Sequence, residues 1–151
     1  MQTVRLDPIV SQGLSLPKPT YEQVKLPPDI TSLSSDQLAE MFTVLTGWAD
    51  FFATRFTQAQ IDEKVAEKTL ERKVAQLTVE KMGSATKADK VTLIKAQIAC
   101  DPDVQDLEEK HHQAYAMRKA WEVMLNNQER DITLVSREIS RRAAEQKRRE
   151  I

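Results

Sequence analysis

Residues 101–142 read DPDVQDLEEKHHQAYAMRKAWEVMLNNQERDITLVSREISRR. From Val104 onward, spacings of three and four alternate without a slip through Leu107, His111, Ala114, Arg118, Trp121, Leu125, Gln128, Ile132, Val135, Ile139 and Arg142. That is the a/d seam of one continuous helix. Asp101-Pro102 is its start: the carboxylate accepts hydrogen bonds from the first free N–H groups, and proline fits the first turn. A helix this long with one apolar seam needs a partner helix, from its own chain or another. Four seam positions are polar, namely His111, Arg118, Gln128 and Arg142. They are expected to mark where the packing opens to water or to another subunit.

The partner is expected nearer the N-terminus. Ser34 and Gln37 form a capping box, with Leu33 and Leu38 placed as the hydrophobic staple across it. A stripe then runs Leu38, Phe42, Leu45, Ala49, Phe52, Phe56 and Ala59, widened by Met41, Trp48 and Ala53. The pattern thins after Gln60 and shifts to Val65, Ala66, Leu70, Val74 and Leu77, with Gly83 as C-cap after Met82. Gly47 stands inside this helix, where it costs about 1 kcal/mol relative to Ala, and so predicts close packing or a slight bend. A short connector helix follows, capped by Thr86 and Asp89, with Val91, Ile94 and Ile98 on its buried face. The expected class is all-α: long helices over about 35–82 and 102–149, a short helix over about 86–99, and a single helical domain over 35–151. At 1.5 Å per residue each long helix reaches about 72 Å. Matched lengths and a short connector predict an antiparallel helical hairpin or coiled coil, with Phe42, Trp48, Phe52 and Phe56 facing the stretch from Leu125 to Ile139.

Residues 1–34 hold five of the six prolines, Pro8, Pro17, Pro19, Pro27 and Pro28. Proline removes N–H donors and clashes inside a helix, so this segment reads as an extended arm. Its apolar residues, from Val4 and Leu6 to Leu26 and Ile30, are too many for a free linker. The arm is expected to lie along another surface, on its own chain or on a neighbour.

Composition bounds the function. Three glycines, 5% aromatics and 30% charged residues in 151 suit one helical domain, and the net charge of −1 excludes a uniformly basic nucleic-acid binder. Cys100, the only cysteine, has no disulfide partner and reads as a small buried residue in a reducing compartment. Gln2, Arg5, Asp7 and Pro8 interrupt any leader-like apolar run, and no run is long enough to span a membrane. His111 and His112 are adjacent, about 100° apart on a helix, and so cannot chelate one metal from one face. Phosphate-binding, dinucleotide-binding and nucleophile-elbow motifs are absent from the sequence, and no sheltered acid–base pair is evident. The expectation is no enzyme, no metal and no cofactor.

Charge is segregated along the last helix. Residues 102–130 hold six acids and four bases, whereas 131–151 hold six bases and four acids. Complementing the helix dipole explains part of this. The other reading is a basic tip of Arg137, Arg141, Arg142, Lys147, Arg148 and Arg149 that grips phosphates, since planar guanidinium groups suit that task. A second basic cluster, Lys64, Lys68, Arg72 and Lys73, is interleaved with Asp62, Glu63, Glu67 and Glu71 and reads as a solvated, ion-paired face.

The pieces Leu45-Thr46-Gly47-Trp48, Glu71-Arg72-Lys73-Val74-Ala75, Ala99-Cys100-Asp101-Pro102-Asp103-Val104 and Leu134-Val135-Ser136-Arg137-Glu138-Ile139, then Arg141 and Arg142, come in an order that resembles the UvsY-type recombination mediators of tailed phages. The resemblance covers roughly residues 38–143. It implies a self-associating protein of the host cytoplasm that binds single-stranded DNA and loads a RecA-like recombinase by displacing a single-strand-binding protein. Arg72 and Lys73 match a basic pair of the family, while Leu77 and Val79 stand where the family has further basic residues. The alternative is a structural subunit of a phage particle, with residues 1–34 contacting other virion subunits. A generic helical adaptor docking through its apolar seam is a third possibility. None of these involves a membrane.

Overall fold

The computed structural model describes residues 17–84 and 91–151. These form a short 3₁₀ turn at Ile30–Ser32 and three α-helices: α1 over Ser35–Ser84, α2 over Val91–Ala99 and α3 over Pro102–Arg149, with no strand among the described residues. The class is all-α. None of the helices is long and apolar enough to cross a membrane.

The helix ends follow from capping. The Ser34 N–H donates to Gln37 Oε1 at 2.9 Å and the Gln37 N–H to Ser34 Oγ at 3.1 Å, so the capping box closes as its spacing predicts. At α3, Asp101 Oδ1 accepts from the N–H groups of Asp103 and Val104 at 2.9 and 3.2 Å. The far end of α1 differs from expectation. Gly83 does not end it, and the helix runs to Ser84, whose hydroxyl donates to the Glu80 carbonyl at 3.1 Å. The expected Thr86–Asp89 cap, the start of the connector before Val91, and arm residues 1–16 lie outside the described residues.

The chain divides into two compact units, Met1–Phe56 with Trp121–Ile151, and Thr57–Ala120. In the first, Leu38, Leu45 and Val135 are fully buried and gather Val24, Leu26, Leu33, Met41 and Ile132 around them. Beside them Trp48, Phe51 and Phe52 pack with Val44, Trp121 and Leu125. Phe51 meets Trp121 edge-to-face at 6.1 Å, the arrangement that aromatic quadrupoles favour. Phe51, left off the sequence stripe, is thus core, while Phe42, placed on it, is exposed.

The described part of the arm, residues 17–34, is seated on this unit. Val24, Leu26 and Leu33 enter the leucine–valine cluster. A Cβ added to Gly47 would fall on the Tyr21 hydroxyl, so this glycine makes room for the arm. The Lys18 ammonium stands 5.9 Å from the centre of the Trp48 ring. Asp29 caps the turn by accepting from the Thr31 hydroxyl and N–H, and these bonds hold its carboxyl below the usual carboxylate range.

In the second unit Ile94, Ile98 and Val104 form the core, with Leu70, Val74 and Leu77 against it. Val91, predicted on the buried face of α2, is about half exposed, and Cys100, predicted buried, is exposed. Val91 opens the short helix α2 and Cys100 follows its last residue, and between them only Ile94 and Ile98 are buried.

Candidate nucleic-acid interface

Three of the four polar seam residues, Arg118, Gln128 and Arg142, are bonded within the chain. Gln128, buried, donates through Nε2 to the Leu45 carbonyl at 3.1 Å. Arg118 pairs with Glu63, and both side chains are only about a fifth exposed. His111 is half-buried, its ring stacked beside that of His112. No group of three or more His, Cys, Asp or Glu side chains that could hold a metal occurs among the described residues.

Arg142 is the most heavily used of the four. Its Nη2 donates to the Thr31 carbonyl at 3.1 Å, its Nη1 to Ser35 Oγ at 3.4 Å, and its Nε to Glu138 Oε1 at 2.9 Å. Glu138 also takes two bonds from Arg141, Nε to Oε2 at 2.8 Å and Nη2 to Oε1 at 2.7 Å. These charge-assisted bonds, the Arg141 pair first, pull the buried Glu138 carboxyl down to about 2. Arg141 and Arg142, expected at a phosphate-gripping tip, are thus tied into the chain through one carboxylate. Arg142 fastens the end of α3 to the arm.

The outward face of α3 is different. Within the first unit, Arg130, Arg137, Arg141 and Arg148 follow at spacings of seven, four and seven residues. Those spacings return to one side of a helix, opposite buried Gln128 and Val135, which stand two residues before Arg130 and Arg137. All four arginines are exposed. They form a ridge with a rise of about 27 Å. Its acids are spent at the edges: Asp131 lies 3.7 Å from Arg130, and Glu145 accepts from Arg141 at 2.5 Å. Arg137 and Arg148 have no hydrogen-bonding or ionic partner among the described residues, nor do exposed Lys147 and Arg149. Between 130 and 149 there are seven bases and three acids, so the face carries a local positive excess on a near-neutral chain.

The sequence argument named Arg137, Arg141 and Arg148 but passed over Arg130. The signal was present in its seven-residue distance from Arg137. Arg72 and Lys73 belong to the second unit. Arg72 is exposed and has no partner among the described residues, whereas Lys73 lies 3.5 Å from Asp103. In the same unit a cleft of about 330 Å³ is lined by Val74, Met82, Ile94 and Ile98, with Lys95 its single charged residue. Such a lining offers no acid–base pair.

The arrangement can neutralise a polyanion, through two uncommitted guanidinium groups and two that keep part of their donor capacity free. No protein-family model, curated protein or solved structure matches this chain.

Proposed function

We propose that the protein is a non-enzymatic, self-associating binder of single-stranded DNA, acting as a recombination mediator of the phage type. The observation that carries this reading is the arginine ridge of α3 on the side away from the core. A flexible strand can bring a phosphate to each guanidinium in turn. In duplex DNA the phosphates of each strand wind around the helix axis, so a short straight ridge meets only those that fall on its line. The order of sequence features resembling that of recombination mediators supports the same reading, as does the antiparallel run of α1 and α3 within the first unit. Within the first unit, partners of α1 fall in number as α1 rises, with Leu45 against Val135 and Phe51 against Trp121. Self-association would add avidity along a strand.

In this reading the protein occupies DNA alongside a recombinase and a single-strand-binding protein. The alternative, a virion subunit tied to its neighbours by residues 1–34, draws no support from residues 17–34, whose apolar side chains enter their own chain's core. Fluorescence anisotropy with a labelled single-stranded oligonucleotide tests the proposal. Binding at low salt that weakens steeply as salt is raised is the expected result. Affinity that is absent, or indifferent to salt, sinks it. Recovery of the protein from purified particles would favour the virion subunit instead.

A further inference from the structure

We infer that the ridge takes the sugar-phosphate backbone alone and leaves the bases of the strand free. This rests on the single-strand reading above and adds what part of the strand is recognised. Proteins that hold single strands by their bases supply aromatic side chains on which bases stack. Here the aromatic side chains of the unit's core are committed, and the exposed ones, Tyr21 and Phe42, stand before α1 and on α1 rather than on the ridge helix. Trp48, Phe51, Phe52 and Trp121 pack on one another, with ring centroids 5.7–6.1 Å apart. After Trp121 the sequence contains no Phe, Tyr, Trp or His at all. The ridge has Leu134 between Arg130 and Arg137, with two-fifths of its surface exposed, and Val123 one heptad before Arg130, more than half exposed. Aliphatic side chains along this line suit the apolar edge of a sugar and offer no aromatic face for a base. Each arginine presents a planar donor fork to a phosphate. The strand would therefore lie with its phosphates against α3 and its Watson–Crick edges turned outward, available for pairing.

The test is competition. The full chain is bound to a fluorescein-labelled oligothymidylate at low salt, and unlabelled strands of equal length are titrated in. A base-free strand of the same deoxyribose-phosphate backbone should compete within about threefold of oligothymidylate, because no stacking contribution is lost. A base-free strand weaker by about tenfold or more overturns the inference, since that is the scale of even one stacked base. Inorganic phosphate at the same total phosphate concentration should not compete, because it lacks linked charges; efficient competition by it also overturns the inference. Arg137→Gln with Arg148→Gln should weaken both strands by the same factor, and a loss confined to the base-bearing strand overturns it. Should the labelled strand not bind the wild-type chain at all, the single-strand reading itself fails and this inference falls with it.

Discussion

Two stretches of basic residues, one on each unit, differ in how their charge is met. On α1 in the second unit, Lys64 pairs with Glu67 and Lys68 with Glu71, each at 2.8 Å and three residues apart. Lys73 reaches Asp103. On α3 in the first unit, Arg137, Lys147, Arg148 and Arg149 find no acid among the described residues. The difference is one of register. On α1 an acid follows three residues after the lysine, where helical side chains meet. On the ridge the acids fall to the side of the basic line. Four acids match four bases over residues 62–73, whereas three acids face seven bases over 130–149; balance and spacing together separate an ion-paired face from one with uncommitted arginines.

The comparison breaks most readily through the scaffold. Phe51→Ala should destabilise the first unit by about 3–5 kcal/mol, the usual loss for a buried ring, whereas Ile94→Val in the second should cost about 0.5–1.5 kcal/mol. Chemical denaturation followed by circular dichroism measures both, and equal losses would show that the two cores are not as different as their aromatic content implies. Replacing Arg130, Arg137, Arg141 and Arg148 together by Gln should lower single-strand affinity by roughly a hundredfold and flatten the salt dependence by about 0.7 per arginine. The matching change of Lys64, Lys68, Arg72 and Lys73 should leave affinity nearly unaltered. A reversed outcome would move the interface to α1.

Acid should act through Glu138. Its carboxyl is held at about 2 in the folded chain against an ordinary 4.5, so its contribution is complete above about pH 4.5 and is lost as pH falls through about 2. The stability advantage of the wild type over Glu138→Gln should therefore shrink across that interval in an acid titration, and a constant advantage would show that the carboxylate's charge is not what holds Arg141 and Arg142. The smallest effect belongs to Lys64→Gln. Its ion pair is well exposed, so melting temperature and strand affinity should both stay within error.

Much of the scaffold was legible in the sequence. Repeats at three and four, together with the Ser34–Gln37 box and Asp101-Pro102, mark where both long helices begin, because caps and periodicity are local signals. Contacts between distant residues were not legible. Gly47 could be read as close packing, but nothing local named Tyr21 as its neighbour. Arg118, Gln128 and Arg142 looked like breaks in an apolar seam. Their partners, Glu63, the Leu45 carbonyl and the Thr31 carbonyl, come from residues 55, 83 and 111 positions away. The candidate site was half legible: the arginine-rich end was evident, but which arginines keep free donors depended on where the carboxylates of Glu138 and Glu145 settle.

The aromatic cluster has a practical consequence. The chain's two tryptophans, Trp48 and Trp121, both stand in that cluster of the first unit. Intrinsic emission excited at the indole band therefore reports on one unit and is blind to the other, while the far-ultraviolet helix signal sums both. Heating the protein while recording the two signals together asks whether the chain melts as one body or in two steps. Superposable curves mean a single cooperative transition. Curves that separate date the loss of each unit in turn, with no probe added to the protein.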